Sequence, residues 1–252
     1  LHLRGATRVL ARIGSFRAMH LAQLDKRARK LDWAASLRAD VPVKVEASCK
    51  RSRIYHAGAA AQRVATAIAE ELGAPIAEDA DLRVMVRIED DLVTISLDTS
   101  GASLHKRGFK EGVAKAPMRE TMAAMFLAQC GYDGSQSVLD PMCGSGTFVI
   151  EAAEIALGLK PGRARSFAFE QLPGFDYAAW DAMRAPATLR PVTARFYGSD
   201  RDPGAIRMAT ENAERAGVSD HVQFSQQSIE LLERPEGPPG LIIINPPYGT
   251  RI

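Results

Sequence analysis

Ser137-Val138-Leu139-Asp140-Pro141-Met142-Cys143-Gly144-Ser145-Gly146-Thr147 is the stretch on which the fold turns. Ser137 to Asp140 reads as a strand, and it feeds directly into a loop with two glycines and then a helix through Glu151, Ala152 and Ala153. Gly144 and Gly146 let the backbone turn sharply and come close to a ligand that a Cβ would hold away, at the carboxyl edge of a sheet. A nucleotide-like ligand is implied, although a strand followed by Gly-x-Gly also suits dinucleotide binding or a merely tight turn. The position three beyond Gly146 is Val149, so the third glycine of the dinucleotide fingerprint is missing.

Downstream the alternation continues as strand, helix, strand. Ala194 to Gly198 predicts a strand ending in Ser199-Asp200-Arg201-Asp202, and Pro203 to Ala216 predicts a helix with Pro203 in its first turn and Gly217 at its end. Asp200 stands where a carboxylate accepts both hydroxyls of a ribose; the structural alternative makes Asp200 and Asp202 helix caps and first-turn acids. The pattern predicts an α/β, Rossmann-like doubly wound sheet.

The last apolar run, Leu241 to Ile244, predicts a buried strand closing on Asn245-Pro246-Pro247-Tyr248-Gly249. Asn245 precedes a proline, which pushes its backbone toward an extended conformation. Its side-chain oxygen and the carbonyl of Pro246 can both accept hydrogens from a planar exocyclic amine, with the Tyr248 ring stacked on the base. Such an amine is a poor nucleophile because its lone pair is delocalised into the ring. Two fixed acceptors favour the form in which that pair points at a methyl donor, and in-line transfer then depends on positioning. A base inside a helix would first have to be extruded or supplied from a single strand. The alternative is a plain turn, since Asn, Pro and Gly are ordinary turn residues. With all three sites in order along one sheet, the chain reads as an enzyme.

Upstream, residues 1–98 mix strand and helix. Val41 to Ala47 alternates as a half-buried strand, Ala57 to Leu72 is a helix with Gly73 just past its end, and Leu82–Ile88 and Leu92–Leu97 form a hairpin across Glu89-Asp90-Asp91. A small α+β domain is expected there. Residues 99–119 are polar, glycine-dotted and basic and read as a linker; Glu120 to Cys130 is helical, opening a second domain over 120–252. Residues 1 to 60 carry 13 Lys or Arg against 4 Asp or Glu, whereas residues 121 to 252 carry 11 against 15. The first part is therefore the one able to attract a phosphate backbone, unless its charges simply solvate ordinary helices.

Composition excludes other classes. The 46% apolar and 25% charged content is globular, and the apolar runs fall short of the roughly 20 residues that span a bilayer. Cys49, Cys130 and Cys143 form no CxxC, and His2, His20, His56, His105 and His221 show no metal spacing, so no metal is expected and a reducing, cytoplasmic compartment fits best. Cys143 adjoins the glycine loop, but no base lies beside it in sequence. His105, Lys106 and Arg107 are candidates for RNA contact or for a solvated linker. Residues 158–190 look like an insertion whose purpose is not readable.

LDPMCGSGTFVIEAA, FYGSDRDPGAI and IINPPYG, with SLHKRGF and APMRETMAA, resemble the THUMP-domain class I RNA methyltransferases. The chain is especially similar to the bacterial enzymes that make N2-methylguanosine in large-subunit ribosomal RNA. The resemblance covers nearly the whole chain. It implies that Asp140, Met142, Cys143, Gly144, Ser145, Gly146 and Thr147 line an S-adenosylmethionine loop and that Asp200 holds the ribose. It further implies that Asn245, Pro246, Pro247 and Tyr248 hold the target amine and that residues 1–98 bind RNA through a THUMP-containing region. Two departures stand out. Ser228 occupies the place of an adenine-contacting Asp and accepts a hydrogen bond more weakly than a carboxylate. The chain also stops at Ile252, where a doubly wound sheet needs further strands, so a fragment is expected. The alternatives are an adenine-N6 DNA methyltransferase, a tRNA guanine-N2 methyltransferase, or an RNA-binding protein without catalysis.

Overall fold

The computed structural model describes residues 1–111, 118–186 and 188–246. Two four-stranded sheets organise them. The first is built from β1 (Leu10–Arg17), β2 (Val43–Lys50), β3 (Leu82–Glu89) and β4 (Leu92–Asp98), with the helices α1 (Leu21–Ala28) and α2 (Ala57–Leu72) between strands. Its order is β1-β4-β3-β2; β1 and β3 run antiparallel to β4, and β2 runs parallel to β3. The periodicity explains the core. Leu82, Val84, Val86 and Ile88 alternate inward on β3 and meet Val93, Ile95 and Leu97 of β4, with Val64 and Ile68 of α2 and Leu24 of α1 completing the same cluster. Each such side chain contributes roughly 1.5–3 kcal/mol by leaving water.

Two expectations for this region are adjusted. The strand expected from Val41 begins at Val43, and β3 reaches Glu89, so the hairpin is closed by Asp90 and Asp91 alone. Both have positive φ, 51° and 60°, as a two-residue type I′ turn requires, and Asp tolerates that region.

The second sheet has the order β7-β6-β5-β8 and is entirely parallel. It follows α3 (Glu120–Gln129) and consists of β5 (Val138–Asp140), β6 (Phe196–Asp200), β7 (Val222–Gln226) and β8 (Leu241–Ile242). The helices between them are α4 (Thr147–Leu157), α5 (Tyr177–Arg184) and α6 (Pro203–Ala216). Val138, Phe196 and Ile243 join a core with Phe148, Val149, Ala152 and Ala213, which places α4 and α6 on one face. The β8 expectation is corrected. Only Leu241 and Ile242 pair, at the edge of the described sheet, and Ile242 is 67% exposed rather than buried. Ile242 instead borders a 460 Å³ cleft with Leu139, Tyr197 and the prolines 235, 238 and 239.

The described residues divide into two compact units: 8–103 with 166–183, and 1–7 with those described between 104 and 165 and between 184 and 246. Of the stretch expected as a linker, the described residues 104–111 and 118–119 belong with the second unit. Arg107 is 1% exposed, donating to the carbonyls of Leu3 and Arg4 and to Glu151, so it is not available to touch RNA. The 158–190 insertion is shared between the units, and Phe167, Phe169, Phe175 and Trp180 form an aromatic cluster in the first. Among the described residues no helix is long and apolar enough to cross a membrane.

Candidate active site

Register places the candidate residues together. Val138 lies opposite Phe196 on one side and Leu241 on the other, so β5 is flanked by β6 and β8 and all three strands end at the same edge. The glycine loop leaves the middle strand there, Asp200 ends one neighbour, and Asn245 and Pro246 follow the other. Asn245 is half-buried and Pro246 exposed; Pro247 and Tyr248 lie outside the described residues.

The loop is held from every side. The Cys143 amide donates to the Ser199 carbonyl (2.9 Å), the Gly144 amide to Asp200 Oδ2 (3.0 Å) and the Gly146 amide to the Cys143 carbonyl (2.8 Å). Asn212 Nδ2 of α6 donates to the Ser145 carbonyl (3.2 Å), and Lys110 Nζ donates to Thr147 Oγ1 (2.8 Å). Met142 and Gly144 are the loop residues left partly open.

The two glycines serve different purposes. Gly144 has φ +52°, and a Cβ added to it would meet nothing within 4 Å; the space over its backbone is the cradle a ligand can enter. Gly146 has φ +81°, but its missing Cβ is replaced by protein: Phe224 Cζ would be 3.0 Å away and Ala209 Cβ 3.1 Å. The expectation that both glycines admit ligand is corrected for Gly146, which lets α6 and β7 close on the loop.

The two acids after β6 are likewise separated. Asp202 caps α6, its Oδ1 accepting from the Gly204 amide at 2.8 Å. Asp200 caps nothing; its oxygens accept from the Gly144 and Asp202 amides, both at 3.0 Å. A carboxylate offers about four lone-pair sites, so two remain for a diol. Asp140 is 2% exposed and accepts from the Met142 amide at 3.0 Å; burial pushes its carboxyl up to about 7, with the negative charge of Asp200 adding to that and the Met142 bond opposing it. Burial also raises the Cys143 thiol far above its usual range, which removes it as a nucleophile at neutral pH. Ser228 opens a short 3-10 turn, its carbonyl accepting from the Leu231 amide, and it is partly exposed just beyond β7.

Sequence reasoning missed Lys110, Glu120 and Asn212. Lys110 Nζ also reaches Met118 O (3.0 Å) and Glu120 Oε1 (3.3 Å), joining the segment before α3 to the first residue of α4. No period signals such a node. Asn212 did leave a signal: it interrupts the apolar stripe Ala205, Ala209, Ala213, Ala216 on the buried face of α6.

Residues 107–252 match the RMKL-like, methyltransferase domain family. The chain belongs to that family. A ribosomal RNA large subunit methyltransferase K/L from Vibrio campbellii is 41% identical over 183 residues, covering 69% of this chain and 26% of that protein. The chain thus spans about a quarter of that relative's length. A Listeria monocytogenes protein named a predicted N6-adenine-specific DNA methylase superposes with a TM-score of 0.89 at 31% identity, covering 100% of this chain and 69% of its own. A methyltransferase solved in complex with SAH, SMU.472, has a TM-score of 0.86 at 28% identity, with coverage of 100% and 69%.

Proposed function

We propose that this methyltransferase-family chain transfers a methyl group from S-adenosylmethionine to an exocyclic amine of a base in RNA, guanine N2 of large-subunit ribosomal RNA being the target. The observation that carries the reading is the order of the three strand ends. A cradle over Gly144 and a carboxylate at Asp200 lie on one side of β5, and a half-buried Asn followed by Pro lies on the other. The SAH bound to SMU.472, the K/L names of the curated relatives and the resemblance in sequence support the cofactor and the substrate. With a ribosomal substrate the reaction would run in the cytoplasm.

The protein's part is positioning. Asp200 would accept the ribose hydroxyls with its remaining lone pairs, the loop of Asp140, Met142, Cys143, Gly144, Ser145, Gly146 and Thr147 would hold the donor, and Ser228 would take the adenine contact. When bound, S-adenosylmethionine supplies an electrophilic methyl group on a sulfonium. Asn245 Oδ1 and the Pro246 carbonyl would accept the two amine hydrogens and leave the nitrogen lone pair free for the methyl group; Pro247 and Tyr248, outside the described residues, are assigned to the amine by the sequence resemblance alone. The methyl group would pass from the sulfonium sulfur to the amine nitrogen, leaving the thioether as co-product, and the amine's surplus proton would leave to solvent. No covalent enzyme intermediate is needed.

The roles are separable. Asn245→Ala is expected to lower kcat by about 100-fold or more while changing the S-adenosylmethionine Kd little, because it removes an acceptor used on the amine alone. Asp200→Ala is expected to raise the Kd by about tenfold or more through lost charged hydrogen bonds. Titration calorimetry with single-turnover kinetics reads both; equal loss of cofactor binding in the two variants contradicts the assignment.

A further inference from the structure

The basic excess of residues 1–60 does not carry over to the first unit, in which 15 Lys or Arg stand against 16 Asp or Glu and several of them pair. Arg8 pairs with Asp98; Arg29 with Asp25, Glu70 and Glu71; Arg38 with Asp40; Lys44 with Glu46 and Glu78; and Arg51 with Glu89 and Asp90. Charge alone therefore does not say where a polyanion lies. One place adds an aromatic to its cations: the loop Arg51–His56, where basic residues alternate with Tyr55.

Nearly every part of that loop is fixed. Arg51 sits at φ +48° and grips Asp90 with Nε and NH2, both at 3.0 Å. Ser52 Oγ donates to the Lys50 carbonyl (2.9 Å) and accepts from the Asp91 amide (3.0 Å). The Arg53 amide donates to Asp91 Oδ1 (2.8 Å), Ile54 is 4% exposed in the core, and His56 Nδ1 caps α2 by accepting from the Ala59 amide (3.0 Å). Tyr55, between those last two anchors, is 85% exposed and stacks on no ring among the described residues. A large aromatic held in water by an anchored backbone is available for a partner rather than displaced by loop motion. On the same turn the Arg53 guanidinium rests on Met19 Sδ (3.4 Å), and Arg17 NH1 donates to the Asp90 carbonyl (3.3 Å); neither forms an ion pair among the described residues.

We propose that this loop, seated on the Asp90–Asp91 turn, is a docking platform for single-stranded RNA, with Tyr55 stacking on an unpaired base and Arg53 and Arg17 taking the flanking phosphates. Stacking needs a base freed from its pair, which selects a single strand over a duplex. Two guanidiniums without carboxylate partners select a polyanion over an apolar protein surface. This inference rests on the RNA reading above and adds where on the first unit the strand lies.

The test is a fluorescence titration of a short single-stranded RNA carrying 2-aminopurine against the full chain, with cofactor binding measured in parallel. Tyr55→Ala is expected to weaken RNA binding by about tenfold and Tyr55→Phe to leave it near wild type, since stacking needs only the ring. Arg53→Gln is expected to weaken binding and to reduce the slope of log affinity against log salt by about 0.7, one phosphate contact on a single strand. Thermal unfolding and S-adenosylmethionine affinity should be unchanged in all three. If the wild type binds RNA and both Tyr55→Ala and Arg53→Gln match it, the platform is overturned and the patch is left to a protein partner. If the wild type binds no RNA, the RNA reading itself fails and the platform with it.

Discussion

Asp140 shows at the residue scale how the loop's construction constrains its chemistry. Its carboxyl is raised to about 7 by burial, so between about pH 4 and 7 the folded chain binds a proton that the unfolded chain releases. Stability held below pH 4 is therefore lost as pH rises toward 7. Asp140→Asn retains an acceptor for the Met142 amide and removes this dependence. The expected outcome is that wild-type unfolding free energy falls relative to the Asn variant by about 2–4 kcal/mol across that window, read by chemical denaturation at stepped pH. A constant difference contradicts the assignment. The strand ending in Asp140, the glycines and Asp200 were all legible in the sequence, because each is a local chain feature. That Gly146 makes room for Phe224 was not, since the two are brought together only by α6 and β7.

At the scale of elements, α2 and α6 were legible to the residue. Each carries a regular apolar stripe and ends at a glycine in the left-handed region, Gly73 at φ 81° and Gly217 at φ 70°. The final strand was legible in kind but not in environment: four apolar residues in a row imply burial, whereas Ile242 stands at the edge of the described sheet. The expected linker hid the most consequential element contact. Lys110 has 9% side-chain exposure against 7% for Glu120, and burial lowers its ammonium pKa while Glu120 opposes that shift. Lys110→Met leaves the Glu120 carboxylate buried without its cation and is expected to cost about 3–5 kcal/mol; pairing it with Glu120→Leu should recover much of that loss. A double-mutant cycle by urea unfolding measures the coupling, and simple additivity would contradict the role of Lys110 as the tie between the segment before α3 and the donor loop.

Over the whole molecule, the alternation of strands and helices after Val138 was sufficient to announce a parallel α/β sheet, and the matched family agrees. The charge asymmetry was also visible, but sequence could not show which of the basic residues are paired, since partners such as Arg8 and Asp98 are 90 positions apart. Nor could it place residues 1–7 with the second unit, where Arg4 meets Glu151 at 2.6 Å. The central claim is that strand ends carrying a donor loop, a ribose carboxylate and an Asn-Pro acceptor perform methyl transfer to a base amine in RNA. The most direct measurement is to incubate the protein with tritiated S-adenosylmethionine and ribosomal RNA lacking its modifications, alongside unmodified DNA, and to identify the labelled nucleoside after digestion. Label in N2-methylguanosine, absent from DNA and lost in Asn245→Ala, is the result expected. Label in N6-methyladenosine on DNA, or label that survives Asn245→Ala, would contradict it.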